Sequence, residues 1–309
     1  MNLYNIFRKQ GLVAAALTLL LTQSCKKDGN PHRLPKVSPD DYTGKIDGYT
    51  SSDEIFPQNL VAFWNFDNDL SETISHKTPG TTQNNEIIDA GVRGRALKLT
   101  SGFLYYDTQF DNFKTNAFKS FTVSFWVQIL NNGSKRTMPF QLARPGIFNG
   151  NVNVALNTNS RPASNTDQIT IQPSFTAVNA SSGAINVQDN LNTAHAASGF
   201  PFLSPKIGMD KWTHVVITYD AVENILQLWG DGVKIGVPAY QNRGANYFNS
   251  FEPNEVIIGS NYNGIPGKAV SADVSFAPMT GNIDEIRVFN IALPDAHIKA
   301  LYNLGVANK

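Results

Sequence analysis

The sequence predicts an all-β fold, an antiparallel β-sandwich of jelly-roll type with one short C-terminal helix. Three observations predict it. From Leu60 onward, short runs rich in β-branched and aromatic residues recur, each bounded by Asn, Gly, Asp or Pro. Trp229-Gly230-Asp231-Gly232 separates ILQLW from VKIG, and Asp-Gly favours the tight primed turn of a hairpin. Helical periodicity is confined to one segment at the C-terminal end. In chain order the strand-like runs are LVAFWNF (60–66), ALKLT (96–100), FLYYD (103–107), FTVSFWVQIL (121–130), WTHVVITYD (212–220), ILQLWGDG (225–232), VIIGS (256–260) and NIDEIRVFN (282–290). Between Asn131 and Gly208 the signal weakens into Asn, Ser, Ala and Thr. That stretch is too long for one structureless loop, so three or four strands are expected in it, among them Val152–Leu156 and Gln168–Gln172. The helix is expected over Pro294–Leu304, with Pro294 in the first turn, Asp295 at the positive end, and Ile298, Leu301 and Tyr302 on one face. Many strands with a single terminal helix argue for a sandwich or jelly roll.

The N-terminus has a different texture. Arg8 and Lys9 precede the apolar run Gly11–Leu21, and Thr22-Gln23-Ser24 leads into Cys25, the one cysteine of the 309 residues. Eleven apolar residues are too few to span a hydrocarbon core of about 30 Å, so residues 1–24 are read as a secretory signal. A cysteine at this junction resembles the lipobox of bacterial lipoproteins, in which the signal is cut before the cysteine and its thiol carries diacylglycerol. Ser24 fits the small residue before the cut. A plain secretory signal with an incidental cysteine is the alternative. Loss of residues 1–24, which carry Arg8 and Lys9 and no acid, leaves 285 residues with 23 basic and 25 acidic side chains. This balance gives no electrostatic case for nucleic acid or for a polybasic membrane patch. With Cys25 lipidated, no thiol remains for a disulfide, a zinc site or a nucleophile, and the five histidines lack ligand spacing. Residues 25–57 are polar and broken by prolines and read as a lipid-anchored flexible tether, in which Asp53 and Glu54 are solvated. Ile46 or Tyr49 could instead pack as an edge segment. The folded domain is expected over 58–309.

Five motifs in order resemble the laminin G-like, concanavalin A-type jelly roll found in many bacterial surface proteins. LVAFWNFDNDLSE resembles that family's first strand and acidic turn, and GVRGRALKLTSGFLYYD (91–107) its Gly-x-x-Gly-x-Ala-Leu segment. FTVSFWVQI, KWTHVVITYD and GNIDEIRVFNIALPDAHIKALY (281–302) resemble its Trp-bearing strands and its closing strand and helix. The 131–208 segment is longer and richer in Asn than a minimal domain of this kind. Together with the lipobox, the domain is similar to Bacteroidetes-type envelope lipoproteins, where such domains accompany glycan capture. Lys26-Lys27-Asp28 replaces the acidic cluster expected after a surface-exported cysteine, so the membrane face stays open.

Candidate sites follow. The resemblance makes the first and last strands neighbours and suggests Asp284, then Asp67, as carboxylates for a structural Ca²⁺, a cation that takes six to eight oxygens. The competing reading has these acids cap turns or pair with Arg287. Sugar rings stack on aromatic faces while amides and charged groups meet their hydroxyls. That chemistry selects Tyr240, Gln241, Asn242, Arg243, Asn246 and Tyr247 in AYQNRGANYFNSF, and Tyr262 in GSNYNG. Trp64, Trp126, Trp212 and Trp229 fall within strand motifs and are expected in the core, and His214 on a strand face, satisfied locally. No carboxylate set of the Glu-x-Asp-x-x-Glu kind, no Gly-x-Ser-x-Gly elbow and no H-E-x-x-H occurs. The expected function is a noncatalytic cell-envelope lipoprotein, of the outer membrane, that binds glycan or glycoconjugate through its loops. An adhesion or assembly subunit that holds a surface protein is the alternative, and a glycoside hydrolase the distant one.

Overall fold

The computed structural model describes residues 43–309, so the signal, Cys25 and the first part of the expected tether lie outside the described residues. The body spans Gly44–Lys309. Among the described residues fourteen strands form two packed layers joined at one bent strand. The first layer contains β1 (Leu60–Trp64), part of β3 (Ala96–Tyr106), β4 (Phe121–Gln128), β9 (Thr213–Asp220), β10 (Ile225–Gly230), β11 (Val233–Lys234) and β14 (Met279–Phe289). The second contains β5 (Thr137–Arg144), β6 (Ile147–Leu156), β7 (Ile171–Asn179), β8 (Ile185–Asp189), β12 (Asn246–Phe248) and β13 (Glu255–Ile258). β3 belongs to both: residues 97–102 pair with β14 and residues 104–106 with β13, with a bulge at Ser101, φ 51°, near the end of the first stretch. β2 (Thr81–Ile88) flanks β3 along both halves.

Alternation explains the layers. Phe121, Val123, Phe125 and Val127 of β4 face the central core with Phe140, Leu142, Val152, Val154, Phe175, Val215 and Ile217 from other strands. Trp64 is wholly buried there, edge-on to Tyr106 at 5.7 Å. The other side of β4 lies beneath the helix α1 (Asp295–Val306), where Trp126 stacks on Tyr302 at 5.7 Å. Ile298, Leu301 and Leu304 of α1 meet Val216, Trp229 and Phe289 in a second cluster. Three of the four tryptophans are therefore core, while Trp212, just before β9, is half-buried. The β10–β11 hairpin turns as expected, with Asp231 and Gly232 both at positive φ, 49° and 73°. The stretch 131–208 holds four strands, β5 to β8.

The domain starts earlier than the sequence suggests. Ile55 is 1 % exposed within the cluster under α1, with Ile46, Tyr49 and Phe56 packed against it. Ser52 N–H donates to Lys309 O at 3.3 Å and Asn303 Nδ2 to Asp47 at 2.6 Å. Residues 44–57 are thus an edge segment of the folded body rather than tether, and they cover the helix flank that a body starting at residue 58 would expose.

Candidate functional site

The acidic pair expected to hold calcium holds a loop instead. The first and last strands are neighbours, with Trp64 opposite Ile286. Asp284 is fully buried and accepts Val92 N–H at 2.8 Å, Arg93 N–H at 3.4 Å and Glu285 N–H at 2.7 Å. Asp67 accepts Arg95 N–H at 2.9 Å. Both carboxylates therefore clamp the 91–95 turn, and N–H dipoles aimed at their oxygens oppose a cation. Gly91 and Gly94 permit this approach, since a Cβ would lie 2.8 Å from Asp284 and 2.0 Å from Asp67, and Gly94 sits at φ +72°. No group of three or more His, Cys, Asp or Glu converges among the described residues. The residues present do not fit calcium at this pair. Specific binding at a hundred times its Kd would add about 2.7 kcal/mol of stability. Neither calcium nor chelator is expected to move the thermal midpoint, and a rise of several degrees with calcium would overturn this assignment.

A bulge in β14 between Asp284 and Arg287, with Glu285 at φ 51°, breaks simple alternation. It turns Asp284 and Glu285 to the same loop, where an unbroken strand would send neighbouring side chains to opposite faces. Burial, together with the neighbouring Glu285, pushes Asp284 up to about 8 against its three N–H donors. The folded chain then holds a proton that the unfolded chain has released, so this contribution to stability falls as pH rises from about 4 toward 8. Asp284→Asn is expected to flatten that fall, measured as denaturant midpoints at pH 5 and pH 8; an unchanged slope would contradict the assignment.

Beside it lies a partly buried ion cluster. Arg287, 2 % exposed, contacts Glu285 at 2.5 Å and Asp53 at 2.8 Å, and Arg93 contacts Asp53 at 2.7 Å and Glu285 at 3.3 Å. Burial opposes ionisation of Asp53, but the Arg93 hydrogen bond and the Arg287 charge outweigh it and hold the carboxyl at about 2. Asp53 keeps 55 % of its side chain exposed, as expected, and also pins segment 44–57 through its pairs with Arg93 and Arg287. Ser124 Oγ and His214 Nε2 lie 2.8 Å apart nearby, a pairing that could suggest nucleophilic catalysis. His214 Nδ1 has no partner, however, Trp126 stacks on the ring at 4.6 Å, and burial with the Arg287 charge depresses the imidazole to about 3. The pair is sealed under α1 and serves packing.

The residues chosen for sugar recognition separate. Tyr262 is 2 % exposed; its hydroxyl donates to Glu255, which also accepts from Tyr105 at 2.7 Å, and the two rings meet edge-on at 5.9 Å. It is core, not a ligand platform. The 240–247 loop stays at the surface. Tyr240 is exposed and edge-on to His195 at 5.0 Å, Gln241 O accepts Leu226 N–H at 2.8 Å, and Asn242 Oδ1 accepts Gly244 N–H at 2.7 Å. Arg243 Nη1 donates to Asp189 O at 2.7 Å, and Asn246 Oδ1 accepts from Asn179 and Asn186, both at 2.9 Å. Tyr247 stands opposite Val178 in β12, on the outer face of the second layer, with Ile185 on the other side of Val178.

That outer face carries a groove the sequence did not single out. Gln141, Asn153, Ser174 and Asp189 stand opposite one another in register across β5, β6, β7 and β8. Gln141 Nε2 donates to Asn153 Oδ1 at 2.8 Å, and Asn153 Nδ2 to Ser174 Oγ at 3.2 Å. In the adjoining row Asn157 Nδ2 donates to Gln172 Oε1 at 3.2 Å, and Gln172 Nε2 to Asp189 Oδ2 at 2.7 Å. Asn153, Gln172, Ser174 and Asp189 line a cavity of about 350 Å³ with Arg136, Phe148 and Phe276. Phe148 and Phe276 meet edge-on at 5.8 Å, and the Arg136 guanidinium lies 4.4 Å from the Phe276 ring. Buried Gln141 Oε1 and Asn157 Oδ1, in or beside these rows, have no hydrogen-bond partner. A sequence signal existed: in IFNGNVNVAL, amides alternate with small or branched apolar residues, which puts Asn151 and Asn153 on one face.

A family model described as the concanavalin A-like lectin/glucanases superfamily matches residues 105–299. The chain belongs to this superfamily. Every groove residue, from Arg136 to Phe276, lies within the superfamily span, whereas Asp53, Asp67 and Arg93 precede it. No curated protein matches the chain. Among solved structures, it resembles domain 4 of AbnA, a GH43 extracellular arabinanase from Geobacillus stearothermophilus, in complex with arabinotriose. That pair is 18 % identical with a TM-score of 0.48, over 79 % of this chain and 98 % of the other. The binding domain of Paraclostridial Mosquitocidal Protein 1 is 14 % identical with a TM-score of 0.49, over 80 % of this chain and 52 % of the other. The binding domain of Botulinum Neurotoxin DC in complex with SialylT is 14 % identical with a TM-score of 0.46, over 82 % and 52 %. The chain thus spans about half the length of these two toxin domains. The superfamily description names binders and hydrolases alike, so the groove's own chemistry has to choose. Glycoside hydrolysis needs two carboxyls about 5–9.5 Å apart, and among the residues that line the groove Asp189 is the one carboxylate.

Proposed function

We propose that this chain is a noncatalytic carbohydrate-binding lipoprotein of the cell envelope, which takes glycan in the groove on the outer face of β5 to β8. The observation that carries this reading is the amide row beside an aromatic wall. Gln172 and Asp189 offer polar groups for sugar hydroxyls, with Asn153 buried beneath them and held by Gln141, Gly150 and Ser174, while the rings of Phe148 and Phe276 offer apolar faces for C–H groups. The single carboxylate supports binding over hydrolysis, and membership of a lectin/glucanase superfamily supports a carbohydrate ligand. Of the loop chosen from sequence, Arg243 donates to Asp189 O beside the groove and Tyr247 stands further along the same face, and neither lines the cavity. The ligand assignment is tested on a glycan array with the purified full chain: hits are expected, and no binding across a broad array would sink it.

The anchor rests on Cys25 and the signal before it, with the outer membrane as destination. Metabolic labelling with a fatty acid is expected to mark the wild-type chain and not Cys25→Ala; label in the variant, or none in the wild type, would remove the anchor.

One observation favours a protein partner as second reading. Among the described strands β8 pairs with β7 alone, and its Ile185 and Val187 are 57 % and 44 % exposed. An open edge with apolar side chains suits strand addition by another chain. Cross-linking confined to β8 in whole cells, with an empty glycan array, would favour it.

A further inference from the structure

Resting on the glycan reading of the groove, we propose that the site continues past Arg136 into a second subsite, which takes a carboxylate-bearing unit of the same glycan chain. A separate cleft of about 590 Å³ adjoins the groove, and Arg136 lines both cavities. Lys135 and Arg136 are half-buried in its wall, and no Asp or Glu lines it. Lys135 Nζ donates to Val274 O at 2.6 Å, and Arg136 Nη2 to Ser275 Oγ at 2.9 Å. An ammonium has three donors and a guanidinium five, so both cations keep N–H groups for a ligand. Asp273 lies near both, but its carboxylate turns back to accept Ser275 N–H at 2.7 Å.

The rest of the wall is built for a sugar ring. Asn131 is 1 % exposed; its Nδ2 donates to Asn165 O and Gln168 O at 2.8 and 2.9 Å, and its Oδ1 is buried without a partner. Thr280 adds a hydroxyl, while Thr137 and Thr158 are buried with theirs turned to Ala277 O and Lys135 O, and Ile129 and Met209 add an apolar side. An arginine fork beside a lysine matches a carboxylate in shape as well as charge. A neutral sugar would leave the two cations without an anion in the cleft itself, since Asp273 lies outside its lining, whereas the groove beyond Arg136, with its amides and Asp189, suits a neutral unit. The two cavities together therefore select a chain that is neutral at one position and acidic at the next.

The test is calorimetric titration of the purified full chain with a neutral tetrasaccharide and with matched tetrasaccharides that carry uronic acid or sulfate. The uronic acid form is expected to bind at least about tenfold tighter than the neutral one, an advantage that shrinks between 50 and 500 mM salt as screening sets in. Lys135→Gln and Met209→Trp, which alter the second cleft without touching the groove, are expected to abolish the preference and leave neutral binding intact. Asp273→Asn is expected to enlarge it. Equal binding of neutral and acidic forms, unchanged in Lys135→Gln, would overturn the second subsite while the groove reading stands. Preference for sulfate over uronic acid would overturn the carboxylate assignment. Loss of every form of binding in the wild type would overturn both readings.

Discussion

Arg287→Ala is expected to cost about 3–5 kcal/mol and to unfold much of the protein near 37 °C. The guanidinium is 2 % exposed, and it neutralises Glu285, itself 5 % exposed at the side chain. Its removal strands a buried carboxylate next to Asp284, so two acids would face each other with only Arg93 between them and the cost of desolvation. The loss should spread to segment 44–57, because Asp53 and Ser52 both bond to Arg287 Nη2, at 2.8 and 3.1 Å. The guanidinium also lies 4.1 Å from the Phe63 ring. Arg287→Lys keeps the charge but not the fork, and is expected to recover only part of the loss. Equilibrium denaturation measures both, and limited proteolysis reads the release of 44–57. A loss under about 1 kcal/mol would show that the cluster is not what holds this end of the body.

The second large effect concerns the groove. Phe276→Ala with Gln172→Ala is expected to weaken binding of an array-selected oligosaccharide about a hundredfold, with a thermal midpoint within a few degrees of wild type. Phe276 is half-buried, so its loss removes a sugar-facing ring and the surface on which Arg136 stacks. Gln172 connects Asn157 to Asp189, and its deletion leaves ligand hydroxyls without a partner at about 1–3 kcal/mol. Together these amount to about 2–4 kcal/mol, or roughly 30- to 1,000-fold. The same pair of changes at Tyr240 and Asn242, outside the groove, is expected to alter affinity by less than threefold.

Much of the fold was legible because its central strands bury one or both faces in apolar residues. FTVSFWVQ, THVVITYD and ILQLWG read as strands before any coordinates, and the Asp-Gly hairpin and the helix are where the residues put them. β2, TTQNNEII, was missed because its outward positions are polar and its partner β3 supplies most of the burial. β7 was blurred by Pro173, which argues against a strand interior; it is tolerated just past the end of the β8 pairing, where Pro173 O accepts Asn190 N–H. Segment 44–57 was read as tether because its few apolar residues carry no period, and the partners of Asp53 lie 40 and 234 residues away. The groove was hidden for the same physical reason that makes it a candidate. Its strands face outward with Asn, Gln, Ser and Asp, which dilute the apolar signal and read as loop. Tyr262, by contrast, looked available in an Asn- and Gly-rich setting, and only the tertiary fold shows its hydroxyl closed on Glu255.

Side-chain amide spectra test the groove most directly. Asn and Gln NH₂ resonances of the ¹⁵N-labelled full chain would be followed during titration with an array-selected oligosaccharide. Saturable shifts at Gln172 and Asn157, with little change at Asn242, are the expected result. Saturable shifts confined to the 240–247 loop or the β8 edge, with the groove amides unmoved, would contradict it.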